Sequence, residues 1–259
     1  MRYFLQFSYN GKFFHGWQIQ PNAISVQEVI ESALTILLRR ETSIVGAGRT
    51  DTGVNARVMF AHFDTDKEIS DSNKFLLSLN KLAGKDIAFH RMIHVPHISH
   101  ARFDAISRTY KYFVAFEKNP FFKNFFWLSN SKLDITAMNI AARKLLTTID
   151  FSSFAKLHSD AKTNICNVTE ACWKKLEDDI EATDFLGHLE GGIVFTITAN
   201  RFLRNMVRAI VGTLIDVGKH KISIEHFQKI IDQKDRCSAG TSMPGEALFL
   251  WNIKYPYIS

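Results

Sequence analysis

The hydrophobic period of this chain switches between two and 3.6 residues in a repeated order, and that order limits the folds open to it. Met1 to Tyr9 alternate as a strand does. Ser25-Val26-Gln27-Glu28 fits a capping box, in which the Ser side chain and the Glu three residues on satisfy free amides of a first helical turn. Behind it Val26, Val29, Ile30, Ala33, Leu37 and Leu38 fall on one helical face. Val58 to Phe63 is strand-like. A helix is predicted over Asp71 to Leu82, burying Phe75, Leu76 and Leu79, and then a strand from Asp86 to Met92.

The pattern restarts at Arg108 with a strand to Phe116, which places Arg108, Tyr110, Tyr112, Val114 and Phe116 on one side. A helix at about Asp134 to Leu146 follows, then strands near Asn164 to Lys175 and Gly192 to Ala199. A long helix from Arg201 and a shorter one from Ile224 to Asp232 complete the reading. Strand-helix-strand order twice over, with helices on one face of antiparallel sheets, is an α+β pattern. A boundary near residues 104 to 107 divides it into similar halves, 1–105 and 106–259. Glu117 to Asn130 reads as a loop rich in Phe and Trp, which predicts packing between layers or subunits rather than base stacking.

Between the two apolar stretches Ser43-Ile44-Val45 and Val58 to Phe63 stand Gly46, Gly48 and Gly53 around Arg49 and Asp51. Glycines permit backbone angles closed to other residues and let a ligand come close. In extended chain, residues two apart point the same way, so Arg49 and Asp51 can serve one site. Taken alone, the segment reads first as a tight turn with an exposed acid.

Four blocks then carry a resemblance. Gly48-Arg49-Thr50-Asp51-Thr52-Gly53-Val54-Asn55-Ala56 resembles the G-R-T-D-x-G-V-H-A signature of the TruA family of tRNA pseudouridine synthases. Asn55 stands where that family usually has His, a position that is not the family's nucleophile. Gly16-Trp17-Gln18-Ile19-Gln20-Pro21 with Ser25-Val26-Gln27 resembles G-W-Q-x-Q-P…T-V-Q. His100-Ala101-Arg102-Phe103-Asp104-Ala105 with Arg108-Thr109-Tyr110-Lys111-Tyr112 resembles H-A-R-F-x-A…R-x-Y-x-Y. Asn200-Arg201-Phe202-Leu203, Met206-Val207-Arg208 and Val211-Gly212-Thr213-Leu214 resemble N-x-F-L-x-x-M-V-R-x-x-V-G-T-L. Farther on, Ser242-Met243-Pro244 and Ala247-Leu248 replace the usual A-P and G-L.

The resemblance implies two RRM-like (ferredoxin-like) subdomains, with antiparallel sheets meeting in a central cleft. It implies a homodimer that isomerises uridines at positions 38 to 40 of the tRNA anticodon arm, with no cofactor and no metal. By the same carry-over Asp51 is the catalytic acid group, Arg208 its ion-pair partner, and Tyr110 the ring that stacks on the uracil. Leu248 packs the base from its other side, Arg49 holds the nucleotide out of its stack, and Arg201 and Arg204 contact phosphates. Gly212, one turn on from Arg208, lets another backbone come close. Lys12, His15, Arg39, Arg40 and Arg57 are further backbone contacts. A carboxylate withdrawn from water needs such a cation to stay charged.

Charge and composition agree with that reading without requiring it. The formal net charge of +6 permits a polyanionic partner. Apolar runs fall short of the roughly 18 residues of a membrane span, and the N-terminal stretch lacks a signal-peptide profile. Three cysteines without metal-type spacing favour a reducing compartment, hence the cytoplasm. Other patterns suggest other functions. An RRM-like module could hold RNA without reacting, and Gly46-x-Gly48 could be a phosphate loop, although it lacks the lysine and following helix such loops use. His94, His97 and His100 have metal-like spacing, but Pro96 interrupts any helix there. Asp64-Thr65-Asp66 resembles a metal-nucleotide motif and is read as structural.

Overall fold

A computed structural model describes residues 1–157, 162–186 and 191–258. The chain forms two compact units, Met1–Ser107 with Leu250–Ser259, and Arg108–Phe249. Six α-helices and mostly antiparallel strands make up the described residues. No helix among them is long and apolar enough to cross a membrane.

In the first unit the elements run β1 (Arg2–Tyr9), α1 (Val26–Leu38), β2 (Val45–Gly46), β3 (Asn55–Asp64), α2 (Ser72–Leu82) and β4 (Ile87–Val95). β1 is central, antiparallel to β3 on one side and β4 on the other, and β2 pairs with β3. The capping box forms as expected, with Ser25 Oγ accepting from Glu28 N and the Glu28 carboxylate accepting from Ser25 N. The buried stripe of α1 is Val26, Ile30, Ala33 and Leu34. Leu34, outside the expected set, joins that face at the spacing i, i+4, i+7, i+8, and Val29, Leu37 and Leu38 are half-buried. α2 is capped by Asp71, and of its expected stripe only Leu79 is fully buried. Tyr3, Leu5 and Phe7 are buried on one face of β1, and Phe4, on the opposite face, is buried against Tyr255 and Tyr257.

The second unit runs β5 (Ser107–Ala115), β6 (Trp127–Leu128), α3 (Ile135–Arg143), β7 (Val168–Lys175), α4 (Ile180–Leu186), β8 (Ile193–Ala199), α5 (Met206–Gly218), α6 (Ile224–Gln233) and β9 (Leu248–Lys254). The first two residues of β9 belong to this unit and the remainder to the other. The strand order is β9-β5-β8-β7, and β8 is antiparallel to both neighbours. β6 joins β5 in parallel. The aromatic loop packs within the unit: Phe126 lies on Phe113 and Phe125 on Phe249, at ring centroid distances of 5.6 and 5.7 Å. Phe121 projects outward, 86% exposed.

The helix expected from Arg201 begins five residues later. Asn205, at φ +66°, takes a left-handed conformation that breaks any continuous helix before Met206. Arg201 and Arg204 therefore sit in the segment leading into α5 rather than on the helix that carries Arg208. α5 also lacks a solvated basic face, since eleven of its thirteen residues are buried.

His62, in β3, makes stability depend on acid. It is buried, accepts from Ala101 N through Nδ1 at 3.2 Å, and lies edge-on to His100. Burial, with the charges of Arg2 and His100 adding, lowers its pKa from 6.5 to about 4. The unfolded chain thus binds a proton that the fold rejects. The stabilisation is complete above pH 6.5 and is lost as pH falls toward 4. Urea midpoints should fall across that window, and His62→Gln should flatten the fall; an equally steep loss in the variant would contradict this assignment.

Candidate active site

In the first unit the segment carrying Asp51 is fastened from beneath. Thr50 is buried, its hydroxyl 2.8 Å from the Tyr9 hydroxyl, while its carbonyl accepts from Trp17 N at 3.2 Å. Arg49 is exposed and Asp51 half-buried on either side of it, as alternation requires. Asp51 O then accepts from Val54 N at 3.1 Å, closing a tight turn whose third residue, Gly53, has φ +77°. Gly53 N donates to Phe14 O at 3.3 Å. Asn55 is buried, and its Oδ1 accepts from Gly11 N at 2.8 Å. The one departure from the signature is therefore a fastening of the turn.

The Gly-Trp block explains a further part of this geometry. Gly16, at φ +90°, passes so close that a Cβ there would stand 2.4 Å from Thr50 O. Trp17 is buried, stacks on Phe7 at 5.9 Å, and occupies the space where Gly46 has no side chain, 2.5 Å from an added Cβ. Of the three glycines around Arg49 and Asp51, only Gly53 has a positive φ. Gly46 makes room for Trp17, and Gly48 faces open space.

The second unit holds the other expected residues. Tyr110 lies on β5 opposite Ile197 of β8, its ring edge-on to Phe202 at 5.1 Å. Tyr112, two residues on and on the same face, is fully buried, and its phenol pKa is pushed well up by burial. Arg208 is half-buried on the first turn of α5 and donates from Nε to Met243 O at 2.5 Å. Leu248 is 4% exposed at the start of β9. Arg204 is exposed and Arg201 half-buried. Gly212 meets its expectation: Thr241 O lies 1.9 Å from where its Cβ would be.

Of the other expected contacts, Arg40, Arg57 and Lys12 have structural partners. Arg40 pairs with Asp66 and donates to Asp64 O, and Arg57 lies over the Trp251 ring at 4.8 Å. Lys12 lies over the Phe13 ring at 5.1 Å, Arg39 is the left-handed C-cap of α1, and His15 is exposed. Asp64 takes a two-pronged bond from Arg2, so Asp64-Thr65-Asp66 is structural as read. His94 packs against Tyr3, and His100 Nδ1 accepts from Arg102 N and Phe103 N. Among the described residues no three His, Cys, Asp or Glu side chains stand together so as to hold a metal ion.

Local sequence pattern shows no sign of Lys111 with Asp179, a buried pair at 2.5 to 2.6 Å on the face of β5 opposite Tyr110. Nor did it reveal the carbonyl of Met243, since backbone atoms carry no residue signature.

A family profile described as tRNA pseudouridine synthase matches residues 141–256. A protein of Parabacteroides distasonis named tRNA pseudouridine synthase A is 51% identical over 256 residues, covering 98% of this chain and 96% of its own. One of Bacteroides thetaiotaomicron with the same name is 51% identical, covering 98% of this chain and 91% of its own. The Bacillus subtilis protein of that name is 36% identical over 259 residues, with 98% and 99% covered.

The close approach at Gly212 sets a testable cost. Gly212→Ala must push the 241 backbone aside, and overpacking of this kind costs about 1–3 kcal/mol. Urea unfolding of the second unit should register it; an unchanged midpoint would contradict the packing described.

Proposed function

The chain belongs to the TruA family of tRNA pseudouridine synthases, and we propose that it acts on uridines 38 to 40 in tRNA anticodon arms, with Asp51 as the reacting acid and no cofactor. As a pseudouridine synthase it is an isomerase. The bond from ribose to the base nitrogen breaks, the uracil turns, and a carbon–carbon bond replaces it. Atoms and electrons balance within the substrate, so the reaction needs no oxidant and no water. Detaching the base leaves positive character on the sugar and negative on the uracil. An ionised carboxylate beside the sugar answers the first, by covalent attack or by taking a ribose proton.

The observation that carries this reading is the Asp51 turn. It presents a half-buried carboxylate beside an exposed Arg49 on a backbone fastened by Tyr9, Gly11, Phe14 and Trp17. Reaction in the nucleotide demands such fixity, because loss of alignment by about 1 Å can cost a hundredfold in rate. In this account Arg208 is the cation that keeps Asp51 charged. Tyr110 stacks on the uracil and relays the proton released at carbon 5. Leu248 supports the base from its other side, and Arg49 holds the nucleotide outward at a cost of a few kcal/mol. Arg201 and Arg204, on the segment before α5, contact phosphates.

The fold reading is two RRM-like subdomains that divide near residues 105 to 107, with Leu250–Ser259 returning to the first. The strand orders support the RRM-like part: β4-β1-β3-β2 runs fourth, first, third, second, and with the two-residue β6 set aside β9-β5-β8-β7 follows the same order. The enzyme works as a homodimer in the cytoplasm, gripping tRNA across both subunits.

Asp51→Asn should abolish pseudouridine formation while tRNA affinity stays within a few-fold; retained turnover would remove Asp51 from the chemistry. Affinity should drop roughly a thousandfold between about 50 and 200 mM salt if about six phosphates are neutralised. A flat salt response would argue against an RNA substrate.

A further inference from the structure

Segment 239–243 lies along α5 in unusually close contact. Thr241 O fills the place of a Gly212 side chain, and Gly240 N donates to Thr213 Oγ1 at 2.9 Å. Residue 243 then pairs with residue 208 twice: Met243 N donates to Arg208 O at 3.1 Å, and Arg208 Nε donates to Met243 O at 2.5 Å. Because a guanidinium is planar, fixing Nε fixes the plane in which its other N–H bonds point. The position of the Met243 carbonyl therefore sets where Arg208 aims.

The segment leading to that carbonyl is held by side chains outside the reading above. Arg236, half-buried, donates from Nη2 to Ser242 Oγ at 2.8 Å. Its Nη1 reaches Ala239 O and Gly240 O at 3.4 and 3.3 Å. Ser242 Oγ also accepts from Asn205 Nδ2 at 2.6 Å, which ties the segment to the left-handed residue at the head of α5. One rigid fork and one hydroxyl thus join segment 239–243 to the start of the helix that carries Arg208.

We propose that Arg236 and Ser242 are positioning residues for the reaction, acting through Met243 O to aim the Arg208 guanidinium. The proposal rests on the reading of Arg208 as the partner of the reacting acid. Neither residue touches the nucleotide. Their effect is to narrow the directions open to Arg208, so their loss lowers the rate and leaves tRNA affinity in place.

The test uses full-length Arg236→Gln, Ser242→Ala and Ser242→Thr, the last retaining the acceptor oxygen. Single-turnover pseudouridine formation at saturating tRNA should slow by about tenfold or more in the first two, with tRNA Kd within about threefold. Ser242→Thr should stay within about twofold of the parent. Independently of activity, hydrogen exchange at the Arg208 Nε–H, followed by NMR, should be slow in the parent and faster in Arg236→Gln and Ser242→Ala. Unchanged exchange, unchanged rate, or a fall in rate matched by an equal fall in affinity would each overturn the proposal. A parent protein that makes no pseudouridine would overturn the functional reading as well, whereas unchanged exchange beside normal parental turnover overturns this proposal alone.

Discussion

Thr50 faces inward so that its two neighbours can face out. Its hydroxyl meets Tyr9 and its carbonyl meets Trp17 N, and both partners are themselves buried in the first unit's core. A polar residue in such a place is stable only when its groups are paired, and that pairing locks the backbone on which Arg49 and Asp51 stand. Gly16 allows the approach, Trp17 fills the space left at Gly46, and Asn55 secures the far end through Gly11. Blocks distant in the chain thus converge on one short turn, and fixity of the carboxylate follows from the core beneath it.

The second unit solves a comparable problem by different means. Arg208 stands on a helix buried on nearly every side, and its Nε donates to a backbone carbonyl. A buried helix tolerates little movement, because tight packing resists small shifts. The segment over Gly212 transfers that rigidity to Met243 and from there to Arg208. Tyr110 gains similar support: Phe202 meets its ring, and Lys111 and Asp179 hold the opposite face of the same strand.

Features set by local pattern were legible in the sequence. Strand alternation and the Ser25 capping box each follow from a few adjacent residues, and the structure has them. Features set by single backbone angles or distant partners were not. The apolar run through Phe202 and Leu203 reads as helix, yet Asn205 adopts a left-handed angle that delays the start to Met206. Asn is among the residues that accept such an angle, but its identity alone does not announce it. Arg201 and Arg204 lie outside the helix for that reason. The role of Asn55 and the return of Leu250–Ser259 to the first unit depend on contacts across the whole chain, which no short window contains.

The central claim is that one acid, held still by its own unit, rearranges a uridine of the anticodon arm. It is tested most directly by incubating the purified protein with unmodified tRNA and mapping every new pseudouridine by position. The account predicts new pseudouridine at positions 38 to 40, without added metal or cofactor. Modification confined to another part of the tRNA, or none at all, would contradict it.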